Sequence, residues 1–335
     1  RGPISLQGEW SFYWRKFIPA VAFSASSAPL PDRFVGVPGA WHGLELEDGI
    51  TQGHGYATYR LRVSLPPDSP PLALKVIDVG SALVLYANGT PVHSAGVAAE
   101  SAEASRAAFR RGVVDIPRSE DGTLDIVLHV SNFHYRTGGA WEHIVLGFAP
   151  DIRDLNELTL AFGLLLSGSI GVIALYHLGL FSLRRQDRSP LYFGLFCLAV
   201  VLRILSTDER YLTQLLPTLS FSNLIRIEYG SFLLAAPAFA AFGKTIALGS
   251  FPDWMRRAII YLGLVFTAGV FLSPPEAFSL WLPIFQLYLA LGTGCGIYVF
   301  SRAVIEKRQH ARAFLFGFLV LALAIFNDIL VSIGV

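Results

Sequence analysis

The chain has 335 residues, 53% of them hydrophobic and 15% charged, with a net charge of +1 and a mean hydropathy of +0.50. Ordinary soluble domains carry about 25% charged residues, so this composition excludes a purely water-soluble protein and a disordered one. The near-balanced charge gives no reason to expect nucleic acid as a partner.

The averages blend two unlike halves. Residues 1–150 hold 12 basic and 14 acidic side chains, the content of a water-soluble domain large enough to bury its own core. Residues 151–335 hold 14 basic and 11 acidic side chains, clustered between long apolar runs. The chain starts at Arg1 rather than Met, and no secretory signal is visible, so a processed or cut N-terminus is expected. The two cysteines, Cys197 and Cys295, both sit in apolar runs, so the first half has no disulfide framework.

In chain order, Tyr59–Leu65 alternates as a half-buried strand, and Leu72–Ile77 and Ala82–Ala87 follow as further strands. Asn88-Gly89 marks a hairpin leading into Pro91-Val92-His93. The same Asn88-Gly89-Thr90 fits a glycosylation acceptor, but the turn is the better reading. Residues 97–111 read as a loop or short helix, and Leu124–Val130 alternates again. Short strands without helical periodicity imply an all-β sandwich.

The second half offers six runs of the length a bilayer-spanning helix needs: about 157–183, 190–206, 222–247, 258–273, 279–301 and 312–333. Pro237 and Pro283 interrupt two of them, which packed neighbours tolerate. The first, third and fifth loops carry ten Lys and Arg, from Arg184 to Arg312, whereas the opposite loops, about 207–221 and 274–278, offer only Arg210. Basic loops face the cytoplasm, so residues 1–150 are expected outside it. Six spans return the chain to the outer side at Val335. A receptor with cytoplasmic output needs an odd number, so a seventh span and an effector are expected beyond it.

Five pieces fall in order in the first half: Gly8-Glu9-Trp10, Val37-Pro38-Gly39-Ala40-Trp41, Gly55-Tyr56-Ala57-Thr58-Tyr59-Arg60, Leu85-Tyr86-Ala87-Asn88-Gly89 and Val130-Ser131-Asn132. They resemble the galactose-binding-like jelly roll of β-galactosidase and β-glucuronidase type enzymes over most of residues 5–148. That resemblance speaks to fold, not to ligand. Asn132-Phe133-His134-Tyr135-Arg136-Thr137-Gly138-Gly139, Leu175-Tyr176-His177-Leu178-Gly179 and Leu191-Tyr192-Phe193-Gly194 narrow the likeness. The whole chain resembles the bacterial seven-transmembrane receptors with diverse intracellular signalling modules. The resemblance implies a jelly-roll sensor over 1–150, a membrane domain over 151–335 in the bacterial inner membrane, and an effector joined in cis. It implies binding of a small ligand, a carbohydrate or carboxylate, or of a partner protein outside.

No nucleophile elbow, HExxH, P-loop or CxxC pair occurs, so neither catalysis nor a cofactor is expected of these residues. Six of the eight histidines lie in residues 1–150 without ligand spacing, so no metal is expected. Sugars offer an apolar face to aromatic rings and hydroxyls to planar polar groups. Trp41, His54, Tyr56, His134, Tyr135, Arg136 and Trp141 are the candidates for such a site. Trp10, Trp14 and Trp41 fit a core equally, and residues 134–141 fit a docking role equally. In the membrane half, Arg203, Arg226, Glu228, Asn327 and Asp328 fall within about 10 Å of the outer boundary at 1.5 Å per residue. Ionisable groups in spans pair or face a cavity, so an ion-paired layer is expected, with snorkelling of Arg226 and Glu228 as the alternative. Tyr176 and His177 suit an interhelical hydrogen bond, and Gly292, Gly294 and Gly296 suit close helix contact. Expected partners are membrane lipids, the outer ligand or protein, the effector and, as an open option, a second copy in a homodimer. Two rival readings remain. A membrane enzyme or transporter with a jelly-roll cap predicts a polar cavity at mid-membrane depth, and a membrane-anchored interaction module predicts a flat exposed patch.

Overall fold

Period-two burial builds the first half. A computed structural model describes residues 2–24, 28–66, 69–76, 78–117, 122–246 and 251–332. Its strands are β1 (Ile4–Ser5), β2 (Gly8–Trp14), β3 (Arg33–Val37), β4 (Gly39–Ala40), β5 (Glu45–Leu46), β6 (Gly49–Ile50), β7 (Gly55–Ser64), β8 (Leu72–Val76), β9 (Ala82–Ala87), β10 (Thr90–Ala95), β11 (Gly112–Asp115), β12 (Thr123–Asn132), β13 (Gly139–Ala140) and β14 (Val145–Phe148). Ile77, the last residue of one predicted strand, lies outside the described residues.

The strands form a six-stranded sheet in the order β10-β9-β12-β7-β2-β3 and a four-stranded sheet in the order β1-β14-β8-β11. Neighbouring strands within both sheets pair antiparallel. The longest pairing, β12 with β7, runs from Thr123↔Ser64 to Asn132↔Gly55. Alternate residues of these strands, Ala57 and Tyr59 with Leu124, Ile126, Leu128 and Val130, are buried with Trp10, Phe12, Leu74 and Val76 between the sheets. The predicted hairpin is present: Asn88 and Gly89 both have positive φ, 50° and 81°, as a type I′ turn requires. Residues 97–111 form no helix; Val97 and Arg106 instead exchange two backbone hydrogen bonds of 2.8 and 3.0 Å.

The other face of the six-stranded sheet is covered by the 3-10 turn Ala20–Ser24, whose Phe23 packs with Tyr13 and Val127. His129 lies on this face, stacked on Phe17 at 4.9 Å, with Nε2 2.7 Å from the Ile18 carbonyl oxygen. Burial holds the His129 imidazole below the usual histidine range, against the pull of the Ile18 carbonyl. The unfolded chain therefore takes up this proton first, and stability falls as pH drops below about 6.5, the ordinary histidine value. Burial depresses His93 in the same way. Urea midpoints measured between pH 7.5 and 5 should decline with acid, and His129→Gln should flatten that slope. An unchanged slope would show that His129 is already solvated in the folded state.

No linker separates the sandwich from the first helix. β14 ends at Phe148 and α1 (Ala149–Leu183) starts at the next residue. Ile152, in the first turn of α1, is fully buried with Ala73 and Ala149, and Gly147 is small enough to lie against it. The remaining helices are α2 (Ser189–Ser206), α3 (Tyr211–Leu215), α4 (Phe221–Ile246), α5 (Asp253–Leu272), α6 (Pro275–Phe278), α7 (Leu282–Ile305) and α8 (Ala311–Ser332). Among the described residues, six helical stretches are long and apolar enough to cross a membrane. They coincide with the six predicted runs to within a few residues at most ends, but α1 begins eight residues before its run.

The chain divides into two compact units. One holds Arg1–Phe162 together with Glu209–Phe221; the other holds Gly163–Asp208 and Ser222–Val335. In the helical unit, Pro237 inside α4 sits against Gly263 of α5, where any side chain would overlap its ring. Tyr288 of α7 donates a 2.8 Å hydrogen bond to the Ile259 carbonyl of α5.

Candidate functional site

One end of the sandwich is tied by a buried asparagine. Asn132, at the end of β12, donates from Nδ2 to the carbonyls of Gly53 (2.9 Å) and Tyr135 (2.8 Å), and its Oδ1 accepts from the Tyr135 amide (3.2 Å). Trp41 Nε1 donates to the same Gly53 carbonyl at 3.1 Å. A Cβ on Gly53 would overlap the Arg136 carbonyl oxygen, so the two loops lie backbone against backbone. The loops before β7 and after β12 are thereby held side by side, and four of the predicted ligand residues share this end. His54 is exposed, and Tyr56, His134 and Arg136 are half-buried. Tyr56 packs on Phe17 at 5.0 Å. Burial raises its phenol pKa, and its hydrogen-bond partner Glu100 adds to the rise. His134 Nδ1 is buried without a hydrogen-bond partner among the described residues.

The side chains of the other three predicted ligand residues are taken up in packing. Trp41 is wholly buried. Trp14 and Tyr59 pack on it at 5.2 and 6.5 Å, and a Cβ on Gly138 would overlap its ring. No face of it is left for a ligand. Tyr135 and Trp141 lie 5.4 Å apart in an aromatic cluster with Phe109 and Phe221. Phe221 belongs to the segment Glu209–Phe221, which follows α2 and ends where α4 begins.

That segment is held to the sandwich mainly by charge. Lys75 of β8 meets Glu209 at 2.7 Å, and both side chains are buried. Asp78 accepts from Arg210 and, at 3.1 Å, from Arg111, which reaches Glu142 at 2.5 Å. The Arg210 guanidinium also lies 3.7 Å over the Phe109 ring. Three cations thus face three carboxylates in a largely buried cluster. Burial works to lower the Arg111 pKa, but Asp78 and Glu142 outweigh it and hold the group above its ordinary value. Tyr211 Oη donates to the carbonyls of Thr159 and Leu160 in α1, at 3.2 and 3.0 Å. Buried ion pairs contribute little net stability against an apolar replacement, but losing one partner is costly. They are therefore better suited to fixing one arrangement than to adding strength. Sequence reading missed this cluster, although Lys75 and Asp78 stand out in an apolar strand region and Asp208-Glu209-Arg210 in an otherwise uncharged loop.

The helical unit carries part of the expected ionic layer. Arg203 of α2 lies 3.6 Å from Glu228 of α4 and 3.2 Å from Asp328 of α8, with its guanidinium 5.4 Å over Phe232. Arg226 is not in this layer; it donates to Asn223 Oδ1 and the Ser273 carbonyl instead. At 100° per residue, Arg226 and Glu228 point about 200° apart on one helix and cannot both face Arg203. Asn327 is exposed beside Asp328. The expected interhelical hydrogen bond in α1 is not formed among the described residues: His177 Nδ1 lies 2.9 Å from the Ile173 carbonyl of its own helix, and Tyr176 is exposed. Of the three glycines expected at close helix contacts, Gly296 lies under the Phe318 ring, but Gly292 and Gly294 face open space. Among the described residues, no cluster of three or more His, Cys, Asp or Glu could hold a metal.

Among solved structures, a β-glucuronidase from Ruminococcus gnavus is similar at 16% identity over 43% of this chain and 28% of its own, with a TM-score of 0.33. A β-glucuronidase from an uncultured Clostridium sp. is similar at 15% identity over the same shares, also with a TM-score of 0.33. The chain therefore spans little more than a quarter of those enzymes' length. No curated relative matches the sequence. A family profile described as "7TM diverse intracellular signalling" matches residues 159–335, more than half of the chain. With a β-sandwich preceding six membrane-length helices and that profile covering the helices, the chain belongs to the seven-transmembrane receptors of diverse intracellular signalling.

Proposed function

We propose that this chain is the sensing and membrane part of a bacterial inner-membrane receptor. The β-sandwich lies on the extracytoplasmic side and takes up a small polar ligand, a carbohydrate or carboxylate, at the end marked by His54, Tyr56, His134 and Arg136. The change passes through Glu209–Phe221 into α2 and α4 and reaches a cytoplasmic effector in cis. These residues perform no catalysis of their own. The observation that carries the reading is the pair of buried ionic contacts, Lys75–Glu209 and Asp78–Arg210, that makes an interhelical segment part of the sandwich unit. The orientation rests on the ten basic residues of the odd-numbered loops. Arg210, the one basic residue of the opposite loops, is already matched by Asp78.

A ligand can shift the receptor only by binding its two states unequally, so a change at the sandwich must alter how it holds this segment. In the full-length receptor, the charge reversals Lys75→Glu and Glu209→Lys should each move basal effector output by about tenfold, the effect of roughly 1.4 kcal/mol. The double reversal should restore it. Hydrogen exchange of residues 209–221 would report release of the segment directly. Release without any change in output would sink the relay.

A further inference from the structure

Along one side of the sandwich, β10 ends the six-stranded sheet and β11 ends the four-stranded sheet. Each edge strand leaves unpaired backbone donors and acceptors. An open cleft of about 490 Å³ lies along these two edges. Val84, Val92, His93 and Ser94 line it from one sheet, and Arg110 and Val113 from the chain that forms the other edge. This second wall is held from behind. Phe109 packs on Phe221, Arg111 bonds to Asp78 and Glu142, and β11 pairs with β8 from Gly112 to Asp115. Arg110, between these anchors, is exposed and has no ion-pair partner among the described residues. Its carbonyl oxygen lies 2.7 Å from Nε2 of His93. A carbonyl only accepts, so Nε2 carries the hydrogen and Nδ1 of the neutral ring is left as an acceptor. Burial, helped by the Arg110 charge, holds His93 below the usual histidine range against the pull of that carbonyl, so the ring is neutral above about pH 7.

We propose that this cleft binds a small hydroxycarboxylate, with the carboxylate on the Arg110 guanidinium and the hydroxyl hydrogen on His93 Nδ1. A planar guanidinium matches a carboxylate through two parallel N–H donors. Phosphate fits less well, because it brings a charge of about −1.5 or more, and of the cleft's cations only Arg110 is unmatched among the described residues. Arg111 is already held by Asp78 and Glu142, and His93 is neutral. A second carboxylate on the ligand would go unmatched for the same reason, so the class is a monoacid. The bare Nδ1 of His93 repels a carboxylate oxygen but accepts from a hydroxyl. Val84, Val92 and Val113 offer a short apolar wall to the carbon chain. β10 lies three strands from β7 in the sheet order, roughly 14 Å at about 4.8 Å per strand. The cleft is therefore separate from the end marked by His54 and Tyr56, and it does not depend on the ligand or the relay proposed above.

The test is ligand-observed NMR titration of the full-length receptor in phosphatidylcholine nanodiscs, held above the His93 transition. The probes are lactate, propionate, lactamide and inorganic phosphate. A ligand as small as lactate should saturate at about 1–10 mM. Propionate, which lacks the hydroxyl, should bind about fivefold more weakly, and lactamide, which lacks the charge, about tenfold more weakly. Arg110→Gln should weaken lactate about tenfold, and His93→Phe should bring lactate down to the level of propionate. His93→Gln keeps a donor for the Arg110 carbonyl and an acceptor for the hydroxyl, so it should preserve the preference for lactate. No saturation by lactate, equal binding of lactate and propionate, tighter binding of phosphate, or a preference lost alike in both His93 variants overturns the proposal. So does lactate binding that survives Arg110→Gln but is lost in Arg136→Gln, a result that would move the acid to the His54 end and leave the function proposed above standing.

Discussion

Replacing Asp78 by Ala should lower the melting temperature of the sandwich unit by roughly 6–12 °C. Asp78 is the anion between two arginines, Arg111 and Arg210, and its side chain is 3% exposed. Truncating it takes a buried carboxylate from both arginines at once, and Glu142 beside Arg111, with a side chain 43% exposed, does not replace it. Breaking a buried ion pair from one side costs about 3 kcal/mol or more, and each kcal/mol moves the midpoint of a domain of this size by about 2–4 °C. Arg210→Met should cost much less, because it removes the charge while keeping an apolar stem over Phe109, and Arg111 remains to satisfy Asp78. The two variants measured by differential scanning calorimetry separate the readings. Equal losses would mean that Asp78 acts through packing and not as the hub of the charges. The Oδ1 atom of Asp78 is buried without a partner among the described residues, so the hub depends on its arginines all the more.

Trp41→Ala should destabilise the same unit by about 3–5 kcal/mol, the range for emptying a buried aromatic site. The ring is 0% exposed and closes the core against Trp14, Tyr59 and Gly138. Its Nε1 also supplies one of the two hydrogen bonds that hold the Gly53 carbonyl. Trp41→Phe keeps much of the volume but leaves that carbonyl with Asn132 alone, so it should cost about half as much. Chemical denaturation of both variants gives the comparison. A loss below about 1 kcal/mol for Trp41→Ala would show that the site is not closed and would return Trp41 to the candidate ligand surface.

Strands were legible where one face is buried and the other is not, because the pattern then has period two. β9 was read to the residue, and the Asn88-Gly89 turn was read from the only residue types that take two successive positive φ values cheaply. Membrane helices were legible from length and apolar content. What sequence does not carry is azimuth and distant pairing. Counting residues from a helix end fixes how deep Arg226 lies but not which way it points, and depth alone placed it in the Arg203 layer. The Arg203–Asp328 pair came through because each is nearly the only ion at its depth on its helix. The Lys75–Glu209 pair joins residues 134 apart in the chain, and no local pattern announces a contact of that range. Tyr135 and Trp141 stood out in the sequence only as candidate ligand residues, and the Phe221 ring that packs on Tyr135 lies at the start of a membrane helix, where an apolar ring draws no notice.

A consequence follows for the order in which the protein is made. The sandwich unit takes its last piece, Glu209–Phe221, from beyond the first two membrane helices. A ribosome adding about 5–20 residues per second needs roughly 4–14 s to go from residue 150 to residue 221. Throughout that interval Lys75 lacks Glu209 and Asp78 lacks Arg210, and Phe109 and Tyr135 lack the Phe221 ring that packs on both. The sandwich must therefore wait, nearly finished, while two helices enter the bilayer. For the same reason a fragment cut at Pro150 would carry the strands but expose the surface that Glu209–Phe221 normally covers, and it should aggregate more readily than the whole receptor.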